Sequence, residues 1–75
     1  MSRLPSVKGT ELVRALKRAG WYEIRQESSH VILGHPDNSK LLVVPVHRGQ
    51  DVKKGILADI LKDAGLTPDD LRRLL

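Results

Sequence analysis

Residues 21–45 read WYEIRQESSHVILGHPDNSKLLVVP, and their character alternates from Trp21 to Glu27, breaks at Ser28-Ser29 and resumes at His30-Val31-Ile32-Leu33. Trp21, Tyr22 and Ile24 are strand formers, so the serine pair between two such runs predicts a hairpin. The tract Pro36-Asp37-Asn38-Ser39 is dense in turn formers, and Leu41-Leu42-Val43-Val44 after it reads as a third strand ended by Pro45. Three strands in a meander follow from these two breaks.

On the N-terminal side, Lys8 to Ala19 carries Leu12, Ala15, Leu16 and Ala19 at helical spacing, and Gly20 supplies the stop. Ser6, Lys8 and Thr10 each suit the start. The opposite side holds Arg14, Lys17 and Arg18, which read as a solubilising face whose last members suit the helix dipole. On the C-terminal side, Ile56, Leu57, Ile60, Leu61 and Ala64 recur at helical spacing up to Gly65. Thr67, Pro68, Asp69 and Asp70 then supply N-cap, first-turn proline and first-turn acids for a short last helix. The order is α-β-β-β-α with a short tail helix. Two helices cover one side of a three-stranded sheet and leave the other open, which is a two-layer α+β architecture.

Length and composition set the outer limits. The chain has 75 residues and no cysteine, so residues 1–75 are expected to form one small domain without disulfide support. The stretch Leu41 to Val46 is interrupted by Pro45 and falls far short of the roughly 20 apolar residues of a membrane span. Met1-Ser2-Arg3-Leu4-Pro5 lacks the apolar stretch of a signal peptide, so a cytoplasmic location is expected. Thirteen Lys and Arg against nine Asp and Glu give a net charge of +4, which favours polyanions as partners. Aromatic residues make up only 3%, which argues against a fold that reads single-stranded RNA by stacking bases on aromatic side chains.

Few groups remain to carry chemistry. His30 and His35 are five apart and point to opposite faces of a regular strand, and no metal-binding motif occurs, so neither a metal nor another cofactor is expected. Ser29-His30 has no identifiable third group to orient it as a hydrolase pair. The plainest reading of His30 is a polar residue that opens a strand. Against it, two small hydroxyl residues precede the ring and leave it accessible, and imidazole titrates closest to neutrality of any side chain here. His35, beside Pro36, reads as an exposed turn residue, and His47 beside Arg48 as either a phosphate contact or a cap on the sheet. Lys53 and Lys54 fall at the start of the second long helix, where cations oppose the dipole and a bound phosphate relieves both. A solvated turn balanced by Asp51 is the alternative. A DNA-binding helix-turn-helix built from the last two helices is disfavoured, since Asp69 and Asp70 would meet DNA phosphates.

Several segments together resemble the HicA-type mRNA interferase toxins of toxin–antitoxin modules. They are Gly20-Trp21 after the first helix, Ser29-His30 following Arg25-Gln26, Val44-Pro45-Val46-His47, and Gly55-Ile56-Leu57 leading to Ile60-Leu61-Lys62-Asp63-Ala64-Gly65-Leu66. The resemblance implies a double-stranded-RNA-binding-like fold and a metal-independent endoribonuclease that cleaves mRNA. It implies that His30 is the catalytic residue and that a HicB-type antitoxin covers the site, and it makes His47 a motif position. Ser29, His47, Arg48, Lys53 and Lys54 are the residues expected to contact RNA. The family usually has Gly-Ser-His where this chain has Ser28-Ser29-His30, and Gly-Thr-Leu where it has Gly55-Ile56-Leu57. Ser28 adopts a positive φ less cheaply than glycine, which bears on the turn beneath His30. A non-catalytic double-stranded RNA binder on the same fold is the alternative function; its binding would survive replacement of His30.

Overall fold

The computed structural model describes residues 3–75; Met1 and Ser2 of the leader lie outside the described residues. Helix α1 spans Gly9–Arg18. Of the three candidate starts, Lys8 is the N-cap, and its backbone N–H donates to the Glu11 carboxylate at 2.8 Å. An acid in this first turn also suits the positive end of the helix. Gly20, at φ 98°, closes the far end: its N–H donates to the Lys17 carbonyl and the Trp21 N–H to that of Leu16, at 3.1 and 3.0 Å. A left-handed residue placed there satisfies carbonyls the helix leaves open. That turn sends Trp21 inward, so it is buried ahead of the first strand and is not part of it.

Strands β1 (Tyr22–Glu27), β2 (His30–His35) and β3 (Asn38–Pro45) form one antiparallel sheet in the order β1-β2-β3. The first hairpin turns on Ser28-Ser29, with Glu27 opposite His30, and Ser28 takes φ 55°. A serine therefore holds the left-handed conformation that glycine would hold at less steric cost. The second hairpin is tighter than the four-residue tract suggested. Pro36 and Asp37 alone make the turn, His35 faces Asn38, and β3 begins three residues before Leu41.

Alternation along the strands sorts the sheet into two faces. Val31, Leu33, Leu42 and Val44 point inward and pack with Leu12 and Leu16 of α1 in one buried cluster. Helix α2 (Lys54–Ala64) adds Leu57, Ile60 and Leu61 to that cluster, and α3 (Pro68–Leu74) adds Leu71. Thr67 caps α3 reciprocally: its Oγ1 accepts from the Asp70 N–H at 3.1 Å, and its own N–H donates to the Asp70 carboxylate at 2.9 Å. The Thr67 backbone bond first, and the Arg73 guanidinium next, hold the Asp70 carboxyl below its ordinary value. Helix α3 packs against α1, and Asp69 and Asp70 pair with Arg72 and Arg73. The other face of the sheet carries no helix, and Tyr22, Ile24, Leu41 and Val43 lie exposed on it. The expected two-layer α+β fold is the one observed, consistent with a double-stranded-RNA-binding-like unit. No described helix is long and apolar enough to cross a membrane.

Candidate functional site

One end of the sheet gathers most of the residues singled out above. His30 opens β2 directly after the Ser28-Ser29 turn and faces Pro45, the last residue of β3. The pairing runs one step further, because the Val46 N–H donates to the Ser29 carbonyl at 2.6 Å. This bond fixes the turn against the exit of β3 and brings His47 to the same end. The imidazole of His30 shares the parity of Ile32 and Gly34, so it stands on the open face, and it is exposed.

Both long helices begin at this end. Gly9, the first residue of α1, sits so close to Pro45 and Val46 that an added β-carbon would overlap the Pro45 carbonyl oxygen and lie 2.8 Å from Val46 Cα. Lys8 forms an isolated antiparallel bridge with Asp51, and the Val52 N–H donates to the Val7 carbonyl at 2.8 Å. These contacts seat the start of α2 beside the start of α1. The site is thus bordered by two helix N-termini, each equivalent to a partial positive charge. Helix α1 has Glu11 in its first turn, whereas α2 has no acid in its own and carries Lys53 and Lys54 there instead.

The cations differ in how free they are. Lys53 and Arg48 are exposed, Arg48 within a turn closed by the Gln50 N–H donating to the His47 carbonyl at 3.0 Å. Lys54 is partly committed: its ammonium donates to the Leu4 carbonyl at 2.9 Å and to Ser6 Oγ at 3.2 Å. It ties the N-terminal segment to α2 and keeps one donor for another acceptor. Asp51, expected to balance the lysine pair, uses its backbone to pair with Lys8 and forms no ion pair among the described residues.

His35 lies at the opposite end and does something the sequence did not reveal. It is half-buried, its Nδ1 accepts the Asp37 N–H at 3.0 Å, and its ring packs on Trp21 with centroids 5.1 Å apart and planes tilted by 60°. It is a staple of the second hairpin and takes no part in the His30 end. Among the described residues no group of three or more His, Asp or Glu side chains is placed to hold a metal ion.

A model of the family described as the HicA toxin of bacterial toxin–antitoxin systems matches residues 9–66, from the first residue of α1 to the turn after α2. This chain belongs to the HicA toxin family. The match takes in His30, the Pro45–His47 exit and the first residues of both long helices, whereas Leu4, Ser6, Val7 and Lys8 precede it. Membership makes this HicA chain the toxin of a toxin–antitoxin module. No curated protein matches the chain significantly.

Proposed function

We propose that this HicA toxin is a cytoplasmic endoribonuclease that cleaves mRNA, with His30 as the proton-transferring catalytic residue. The observation that carries the reading is the position of His30, an exposed imidazole at the end of an open sheet face, opposite Pro45, whose carbonyl abuts the first residue of α1. RNA supplies its own nucleophile. The 2′-oxygen loses its proton and bonds to phosphorus, the bond from phosphorus to the 5′-oxygen breaks, and the leaving oxygen takes up a proton. The products are a 2′,3′-cyclic phosphate and a free 5′-hydroxyl.

His30 acts either as general base toward the 2′-hydroxyl or as general acid toward the leaving oxygen, and water or another side chain takes the complementary part. Lys53 and Arg48, with the remaining donor of Lys54, hold phosphate oxygens and offset the charge that builds up on phosphorus. Ser29 and His47 flank the same end and contact the strand. The partner that silences the toxin is a HicB-type antitoxin that covers this end.

The test uses the purified chain and a single-stranded RNA, with a 2′-O-methylated copy as control. The expected outcome is cleavage that persists in excess chelator, leaves cyclic phosphate termini and is absent for the methylated copy. Cleavage of both oligonucleotides, or loss of activity with chelator, would contradict the proposal. Binding without any cleavage would favour a non-catalytic RNA binder.

A further inference from the structure

Beyond the site at His30, the open sheet face presents an arrangement that the cleavage chemistry does not use. Tyr22 is 52% exposed there, Trp21 is buried, and the chain has no Phe, so Tyr22 is the one accessible ring among its Phe, Trp and Tyr residues. It stands opposite Gly34, and a β-carbon at Gly34 would lie 3.3 Å from the ring's Cζ and hydroxyl oxygen. The far end of the ring therefore rests over the bare backbone of β2, held there while exposed to solvent.

Between Tyr22 and His30 the β1–β2 register slips by one residue, at Ile24. A bulge of this kind puts two consecutive side chains on one face. Ile24 reaches over Gly34, its Cδ1 2.9 Å from where a β-carbon would be, and Arg25, paired with Ile32, also faces outward. Without the extra residue Arg25 would point toward α1. Its Nε bonds Glu27 at 3.0 Å, which leaves the two terminal nitrogens of the guanidinium for another acceptor. Tyr22, Arg25 and His30 thus lie in a row along one face.

We propose that this row is the track of single-stranded RNA leaving the cleavage point, with Tyr22 the platform on which one unpaired base stacks and Arg25 the contact to a phosphate between. The proposal rests on the ribonuclease reading of His30. Gly34 and His30 are four residues apart on β2, about 13 Å at the usual rise per residue. That span corresponds to about two to four nucleotides, depending on how far the strand is stretched. A net charge of +4 and an exposed cation along the row favour a polyanion over an apolar protein segment. A single ring agrees with the low aromatic content: one base is gripped and the others pass over aliphatic side chains.

The test measures binding of a 2′-O-methylated single-stranded octanucleotide, and cleavage of its RNA counterpart, by the full chain and by Y22A, Y22L and Y22F. Tyr22 is exposed, so thermal melts of the variants should match the parent. Stacking on one base predicts that Y22A and Y22L bind about 5- to 100-fold more weakly and that Y22F stays within about twofold. Unchanged affinity in Y22A, an equal loss in Y22F, or no measurable binding by the parent would overturn the proposal. Unchanged affinity would leave the face to a protein partner. Failure of the cleavage proposal would be seen separately, as a parent chain that binds the octanucleotide and never cuts its RNA counterpart.

Discussion

His30→Ala should lower RNA cleavage by about a hundred- to ten-thousand-fold, the range that general acid–base catalysis supplies. It should leave the fold and RNA affinity almost unchanged. The side chain is exposed and lies outside the buried cluster, and its pairing with Pro45 runs through backbone that alanine retains. Lys53, Arg48 and Lys54 stay in place to hold phosphate, so binding of an uncleavable RNA should shift by no more than about threefold. Single-turnover rates read beside a thermal melt and a binding isotherm separate these effects. A variant that still cleaves at the parental rate removes His30 from the chemistry, and one that unfolds makes it structural.

Gly9→Val should produce the largest loss of stability from any single change at the site. The start of α1 meets the exit of β3 backbone to backbone, and neither the Pro45 carbonyl nor Val46 Cα can yield as a flexible side chain would. Overpacking of this kind typically costs about 1–3 kcal/mol. A domain of this size is stabilised by roughly 0.05–0.15 kcal/mol per residue, so the loss is a large fraction of the whole. Cleavage should fall with it, because Pro45 is the residue opposite His30. Gly55→Ala is the contrast: a β-carbon there meets nothing within 4 Å, and alanine in the first turn of α2 should be neutral or slightly stabilising. Urea denaturation of the two variants reads the difference. Equal midpoints would mean that the close approach at Gly9 does not matter.

Local signals were readable wherever they act over a few residues. Helical spacing, the glycine stops, the cap at Thr67 and the serine turn before His30 all led to elements that exist. The cost anticipated for Ser28 corresponds to its φ of 55°. Errors arose where a side chain replaced the expected backbone solution. The tract Pro36-Asp37-Asn38-Ser39 reads as a four-residue turn, but the Asp37 N–H bonds to the ring of His35, so Pro36 and Asp37 suffice and β3 starts early. Trp21 looked like a strand residue because its type favours strands, yet the turn at Gly20 buries it against His35. Tertiary context overrides propensity in this way.

At the site, the identity of the residues was legible and their company was not. The link from Lys54 to Leu4 and Ser6 spans most of the chain, and no spacing rule reports it. The bulge at Ile24 breaks the two-residue period on which strand faces are assigned, so the outward turn of Arg25 could not be inferred from alternation. Ile56 fits the apolar stripe of α2 by spacing, yet it is exposed beside Leu41 and Val43 near the open face.

The central claim is that the imidazole of His30, and neither of the other two, exchanges the proton during cleavage. Ring signals of His30, His35 and His47 can be followed by NMR across a pH series in which single-turnover cleavage is measured on the same samples. The account predicts that one limb of the rate profile has the midpoint of the His30 titration and disappears in His30→Ala. A rate that follows His35 or His47, or keeps its limb without His30, would contradict it.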